Sequence, residues 1–147
     1  MEFAVYAQGD YHVTDFEVLR EMEKIEKKLH QSDFVNAIFS STAIYKSIHQ
    51  MTHNNRPDAY RLPEDPEEFA SYQRLAKRLP QLNAQVLISR DERKARITSW
   101  VSDIGADNIK GYGQQLDAWM AKNIDPKVIK VQRTGTGLVM DKNAAYV

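Results

Sequence analysis

Twice along this chain a period-two pattern of apolar residues gives way to a helical one and then returns. That alternation narrows the fold more than any other feature. In the first unit Phe3 and Val5 alternate with Ala4 and Tyr6, and Gly9-Asp10 ends the strand. Thr14-Asp15-Phe16-Glu17 has the form of a capping box, in which a hydroxyl and a carboxylate satisfy free backbone N–H groups at a helix start. Behind it Phe16, Val18, Leu19, Met22, Ile25 and Leu29 share one helical face, predicting a helix over about 15–31. Arg20, Glu23, Lys24, Lys27 and Lys28 are assigned to the solvent side. Residues 35–40 form the returning strand.

The second unit opens with Ala95, Ile97, Ser99 and Val101 alternating with Arg96, Thr98 and Trp100. A helix capped by Asp107 or Asn108 follows, with Ile109, Tyr112, Leu116, Trp119 and Met120 on its inner face. Gly111 and Gly113 weaken its first turns by about 1 kcal/mol each relative to alanine. A strand over residues 128–133 closes the unit. Between the units lies a helical insertion at about 42–90. Ser41 or Thr42 caps a short helix carrying Ile44, Tyr45, Ile48 and Met51. Asp65-Pro66-Glu67-Glu68 starts another, because Asp suits the N-cap and Pro the first helical position. Phe69, Tyr72, Leu75, Ala76 and Leu79 form its apolar stripe, and Pro80 ends it. Residues 82–89 fit strand or helix. Without the insertion the order is βαβ-βαβ, the ferredoxin-like split βαβ arrangement. Right-handed crossovers place both long helices on one face of a four-stranded antiparallel sheet, giving an α+β fold.

The length of 147 residues fits one domain spanning 1–147. Lys and Arg number 20, as do Asp and Glu, so the basic excess of a nucleic-acid binder is missing and no such partner is expected. The absence of cysteine excludes a disulfide scaffold, a thiolate metal site and a cysteine nucleophile. No apolar run reaches the roughly 18 residues of a membrane span, and no signal peptide is visible. The chain begins within a strand pattern, and a new apolar segment (Leu138, Val139, Met140, Ala144–Val147) follows Thr134-Gly135-Thr136-Gly137 at its other end. Both ends suggest a piece of something longer.

Few residues suggest chemistry. His49 and His53 stand four apart, a spacing that can suit a metal on a helix, but the intervening Glu of HExxH is missing and no third ligand stands nearby in sequence. They are read as two exposed histidines at a helix end; His12 and His30 have no partner. No metal or other cofactor is expected. The Thr134–Gly137 loop lacks the Gly-Lys-Ser/Thr of a phosphate-binding motif and reads as a connection whose glycines permit positive φ. Asp91, Glu92, Arg93, Lys94 and Arg96 read as a solvated turn. Trp119, Tyr112 and Phe69 fit a core. Trp100 differs, because alternation puts it with Arg96 and Thr98 on the sheet face away from the helices. No catalytic triad or Cys-His pair stands out. The residues alone point to a soluble α+β domain that is not an enzyme.

Several strings, in order, carry a resemblance across nearly the whole chain. They are Phe3-Ala4-Val5, then Asp15-Phe16-Glu17-Val18-Leu19-Arg20, then residues 35–41 followed by Ile44-Tyr45-Lys46. Tyr60-Arg61-Leu62-Pro63-Glu64, residues 91–98, and residues 134–147 with their Thr-Gly-Thr-Gly, Asp-Lys and Tyr-Val complete the series. Together they resemble an extracytoplasmic porter domain of the resistance-nodulation-division (RND) exporter superfamily, in the branch of the MMPL and hopanoid-transporter-like proteins. The resemblance implies a loop between the first two membrane helices of an inner-membrane transporter, on the periplasmic side. It implies a non-enzymatic role in ion-driven export of lipids or other hydrophobic molecules. The implied partners are the second porter domain and the transmembrane helices of the same polypeptide, and the hydrophobic substrate. Trp100, Tyr45, Met51, Tyr60 and Tyr72 are the residues expected on a substrate path or interdomain surface. A stand-alone ferredoxin-like ligand-sensing domain is the alternative.

Overall fold

Strand β1 (Glu2–Ala7) buries Phe3, Val5 and Ala7 and leaves Glu2, Ala4 and Tyr6 on the other side, as the alternating direction of strand side chains requires. It occupies an interior position in a four-stranded sheet of order β2-β3-β1-β4. The computed structural model describes residues 1–78 and 88–134. Strand β2 is Val35–Phe39, β3 is Lys94–Val101 and β4 is Ile129–Thr134. All neighbouring pairs are antiparallel. Register aligns the apolar faces: Phe3 opposes Ile97, and Val5 lies between Ala95 and Val131. The order is that of the ferredoxin-like split βαβ fold, as the alternating pattern predicts.

Helix α1 (Phe16–His30) lays Val18, Leu19, Met22, Ile25 and Leu29 into the core. Helix α4 (Ala106–Asn123) contributes Leu116 and Met120 to the same cluster, which also holds Phe3, Val5 and Ile97. Each such side chain contributes roughly 1.5–3 kcal/mol on burial. The insertion supplies helix α2 (Thr42–Thr52), a single 3-10 turn (Pro57–Ala59) and helix α3 (Pro66–Arg78). Ile44, Tyr45 and Ile48 of α2 meet Leu62, Phe69 and Tyr72 in a continuation of the core.

Local details depart from expectation in four places. The capping box at Thr14 does not form: the Thr14 hydroxyl donates to Glu92, 3.2 Å away, and the Asp15 carboxylate accepts from the His12 N–H. Helix α4 starts at Ala106, ahead of both predicted caps, because Gly105 adopts φ +93° and the Asp103 carboxylate receives its N–H. Glu23, assigned to the solvent side of α1, is buried, as are Glu21 and Glu26. The insertion explains this: α2 brings Lys46 to within 3.9 Å of Glu23 and 3.8 Å of Glu26. Glu26 also accepts from the hydroxyls of Ser40, at 2.9 Å, and Thr42, at 2.7 Å. Finally, α2 turns Met51 outward and His49 inward. The start of α3 follows expectation, with the Asp65 carboxylate capping the Glu67 N–H at 3.1 Å. Leu79, Pro80 and most of the 82–89 segment lie outside the described residues, as do Gly135 to Val147; Ile88 forms an isolated bridge to Ala95.

Candidate functional site

Two regions carry side chains that the core does not use. The first is the outer face of the sheet. With α1 and α4 on the inner side, alternation leaves Ala37 and Phe39 of β2 and Arg96, Thr98 and Trp100 of β3 facing outward. Trp100 is 65% exposed and Phe39 49%. Their rings meet edge to face with centroids 6.1 Å apart. The Lys94 ammonium lies 5.7 Å from the Tyr6 ring centroid on the same face. An exposed aromatic pair is thus presented, with Arg96 and Lys94 further along the same face of β3, and among the described residues no helix covers it.

The second region joins α2 to α3. His49 and His53 are one helical turn apart, so their rings project from the same side of α2. They stack in parallel, with centroids 4.0 Å apart and planes 17° apart. Both rings present Nε2 to one carboxylate oxygen of Glu68, the third helical residue of α3, at 3.7 and 3.8 Å. The other ring nitrogens are engaged elsewhere. His49 Nδ1 lies 2.7 Å from the Ala59 carbonyl, and His53 Nδ1 lies 2.7 Å from the His49 carbonyl. A carbonyl can only accept, so each Nδ1 carries a proton, and in the neutral ring the lone pair is on Nε2. The Tyr72 hydroxyl donates to the same Glu68 oxygen and lies 3.0 Å from the Thr52 hydroxyl. Burial, followed by the Glu68 contact, raises the Tyr72 phenol above its usual value, so this donor stays protonated through neutral pH.

The expectation of two exposed histidines is therefore corrected for His49 alone, since His53 is exposed. His49 is 2% exposed, because the 3-10 turn and α3 fold over it and supply the Ala59 carbonyl and the Tyr72 ring. Glu68, read as part of a helix-start pattern, is the third group.

The five residues expected on a substrate path or interdomain surface separate. Trp100, Met51 and Tyr60 are exposed. Tyr45 and Tyr72 are buried, which takes both off the surface: Tyr45 packs on Phe69 with centroids 5.0 Å apart, and Tyr72 packs edge-on against His49. Burial, then the charges of Glu92 and Asp15, push the Tyr45 phenol up to about 12. Trp100 and the α2–α3 residues are on different elements, and the structure does not bring them together into one site. No protein-family model matches this chain, and no match to a characterised protein is found.

Proposed function

We infer that this chain is an extracytoplasmic porter domain of an RND-type, ion-driven exporter of lipids or other hydrophobic molecules. In this reading the open face of its sheet meets the second porter domain of the same polypeptide. The observation that carries it is the exposed Trp100–Phe39 pair on the side of a split βαβ sheet that no helix among the described residues covers. Buried aromatic and arginine side chains dominate protein–protein contacts, and Arg96 shares that face four residues from Trp100 along β3. The ordered run of sequence strings resembling porter loops supports the same reading. Met51 and Tyr60, exposed on the insertion, add apolar surface of the kind that lines paths for hydrophobic molecules. The domain takes no part in the chemistry of ion coupling. No helix among the described residues is long and apolar enough to cross a membrane, so the coupling residues would lie in other segments.

The test is made in the parent protein. A cysteine replacing Trp100 should form a disulfide with cysteines placed on the outer sheet face of the second extracytoplasmic loop, and Trp100→Ala should impair export of a hydrophobic substrate. A reading frame that places no membrane spans around this segment, together with no effect of Trp100→Ala on export, would refute the reading and favour the ligand-sensing alternative.

A further inference from the structure

The α2–α3 cluster has the chemistry of a cation site. Two imidazoles and a carboxylate bring their ligand atoms to within 4.8 Å of one another. A tetrahedral zinc ion bound at about 2.0–2.1 Å would hold its ligand atoms roughly 3.4 Å apart. The two observed histidine–glutamate separations of 3.7 and 3.8 Å are a few tenths of an ångström above that, and the stacked rings must also tilt out of parallel so that both Nε2 lone pairs meet the ion. The surrounding shell is already in place. Each histidine donates its distal N–H to a backbone carbonyl, an arrangement that fixes tautomer and ring orientation at metal sites. Tyr72 orients the carboxylate. Side-chain exposures of 44% at His53 and 34% at Glu68 leave a route in from solvent.

We propose that His49, His53 and Glu68 bind one divalent transition-metal ion of the zinc type, and that this ion ties α2 to α3. Two imidazoles favour zinc over magnesium or calcium, which prefer oxygen ligands. Three protein ligands leave a fourth position open to water or to another ligand. The partly exposed rim makes the ion exchangeable. The proposal does not depend on the exporter reading, because every ligand belongs to the insertion itself.

The experiment is calorimetric titration of the untagged 147-residue chain with zinc sulfate at neutral pH, alongside thermal unfolding with and without the metal. One ion per chain is expected, with a rise in melting temperature of roughly 5–10 °C at a hundredfold excess over the dissociation constant. Magnesium should give no shift. Cobalt(II) should give the intense visible absorption of a four-coordinate site. His53→Gln and Glu68→Gln should each weaken zinc binding about tenfold or more, while His12→Gln and His30→Gln leave it unchanged. Both ligand variants alter partly exposed side chains, and their metal-free circular dichroism reports directly whether the fold is retained. Absence of zinc binding to the wild-type chain would overturn the proposal. Unchanged affinity in a folded His53→Gln or Glu68→Gln variant, or loss of binding in the His12 or His30 variants, would also overturn it.

Discussion

Strand β3 offers a direct test of the two-sided sheet, because Ile97 and Trp100 lie three residues apart on opposite faces. Ile97 is fully buried against Phe3 and the α1 stripe. Ile97→Ala removes three side-chain carbons from a packed core and leaves a cavity that the flanking strands cannot close, at a cost of about 2–5 kcal/mol. For a domain of this length that lowers the melting temperature by roughly 4–20 °C. Trp100 is a larger side chain, and if size alone mattered its removal would cost more. It keeps 65% of its surface in water, and its one aromatic contact is the edge of Phe39. Truncating it should cost no more than about 1 kcal/mol, the worth of a cross-strand aromatic pair. Urea unfolding monitored by far-UV circular dichroism, on both variants and the parent sequence, measures the two costs under one set of conditions. The smaller side chain should give the larger loss. A Trp100→Ala cost equal to or above that of Ile97→Ala would mean that the outer face is buried in the folded chain, and would remove the basis for an interdomain surface there.

Three further outcomes follow from the packing. Glu26→Ala leaves the Ser40 and Thr42 hydroxyls and Lys46 without their common buried acceptor, and should destabilise the chain by about 2–4 kcal/mol in the same urea assay. Tyr45 predicts the alkaline behaviour. Its phenol releases its proton near 10.0 in the unfolded chain and near 12 in the folded one, so the folded state holds that proton more tightly. The resulting stability is fully present below pH 10, declines by about 2–3 kcal/mol as the pH rises to 12, and should be absent from Tyr45→Phe, as unfolding measured across that window will show. Gly113 sits beneath the Arg133 guanidinium, where an added Cβ would lie 2.5 Å from Arg133 Cζ and displace the paired bond to Asp117. Gly113→Ala should therefore be close to neutral in the native background, since the roughly 1 kcal/mol of helix propensity is offset by the loss of that ion pair. In an Arg133→Ala background the same change should stabilise by about 1 kcal/mol, a coupling that a double-mutant cycle detects.

The fold was legible wherever one element's period settled which face was buried. Strands β1 and β3 alternate cleanly, the α1 stripe repeats over four turns, and right-handed connection then determines the sheet order. Cap chemistry was less legible, because it depends on partners far along the chain. Thr14 finds Glu92, 78 residues away, in place of its own helix. The buried acids of α1 were hidden for a related reason. Glu23 reads as part of a solvent face until the inserted helix brings Lys46 to it, and Glu26 is held by the same lysine with Thr42 and, from the loop before the helix, Ser40.

The insertion shows most clearly where pattern reading stops and why. On α2, four residues separate Tyr45 from His49 and six separate it from Met51, which places His49 about 40° from Tyr45 around the helix and Met51 about 120°. Had the stripe been centred on Tyr45, His49 would have been assigned to the interior and Met51 to solvent, as observed. Residue type pulled the assignment the other way, since methionine is ordinarily buried more often than histidine. That rule fails when a polar ring finds partners inside, and the Ala59 carbonyl and Glu68 supply them. Neither could be foreseen from spacing along α2. Glu68 is 19 residues beyond His49 and reaches it only because the 3-10 turn reverses the chain and Asp65 caps α3. That cap sets where α3 begins, and its carboxylate is bonded to the Glu67 N–H directly before the proposed ligand. Asp65→Ala should therefore cost about 1 kcal/mol of stability through the lost cap. If the α3 start is what aims Glu68, the same change should also weaken zinc binding in the titration above, although Asp65 touches neither histidine. A full stability loss with unchanged zinc affinity would show that Glu68 is held in place by Tyr72 and the histidines alone.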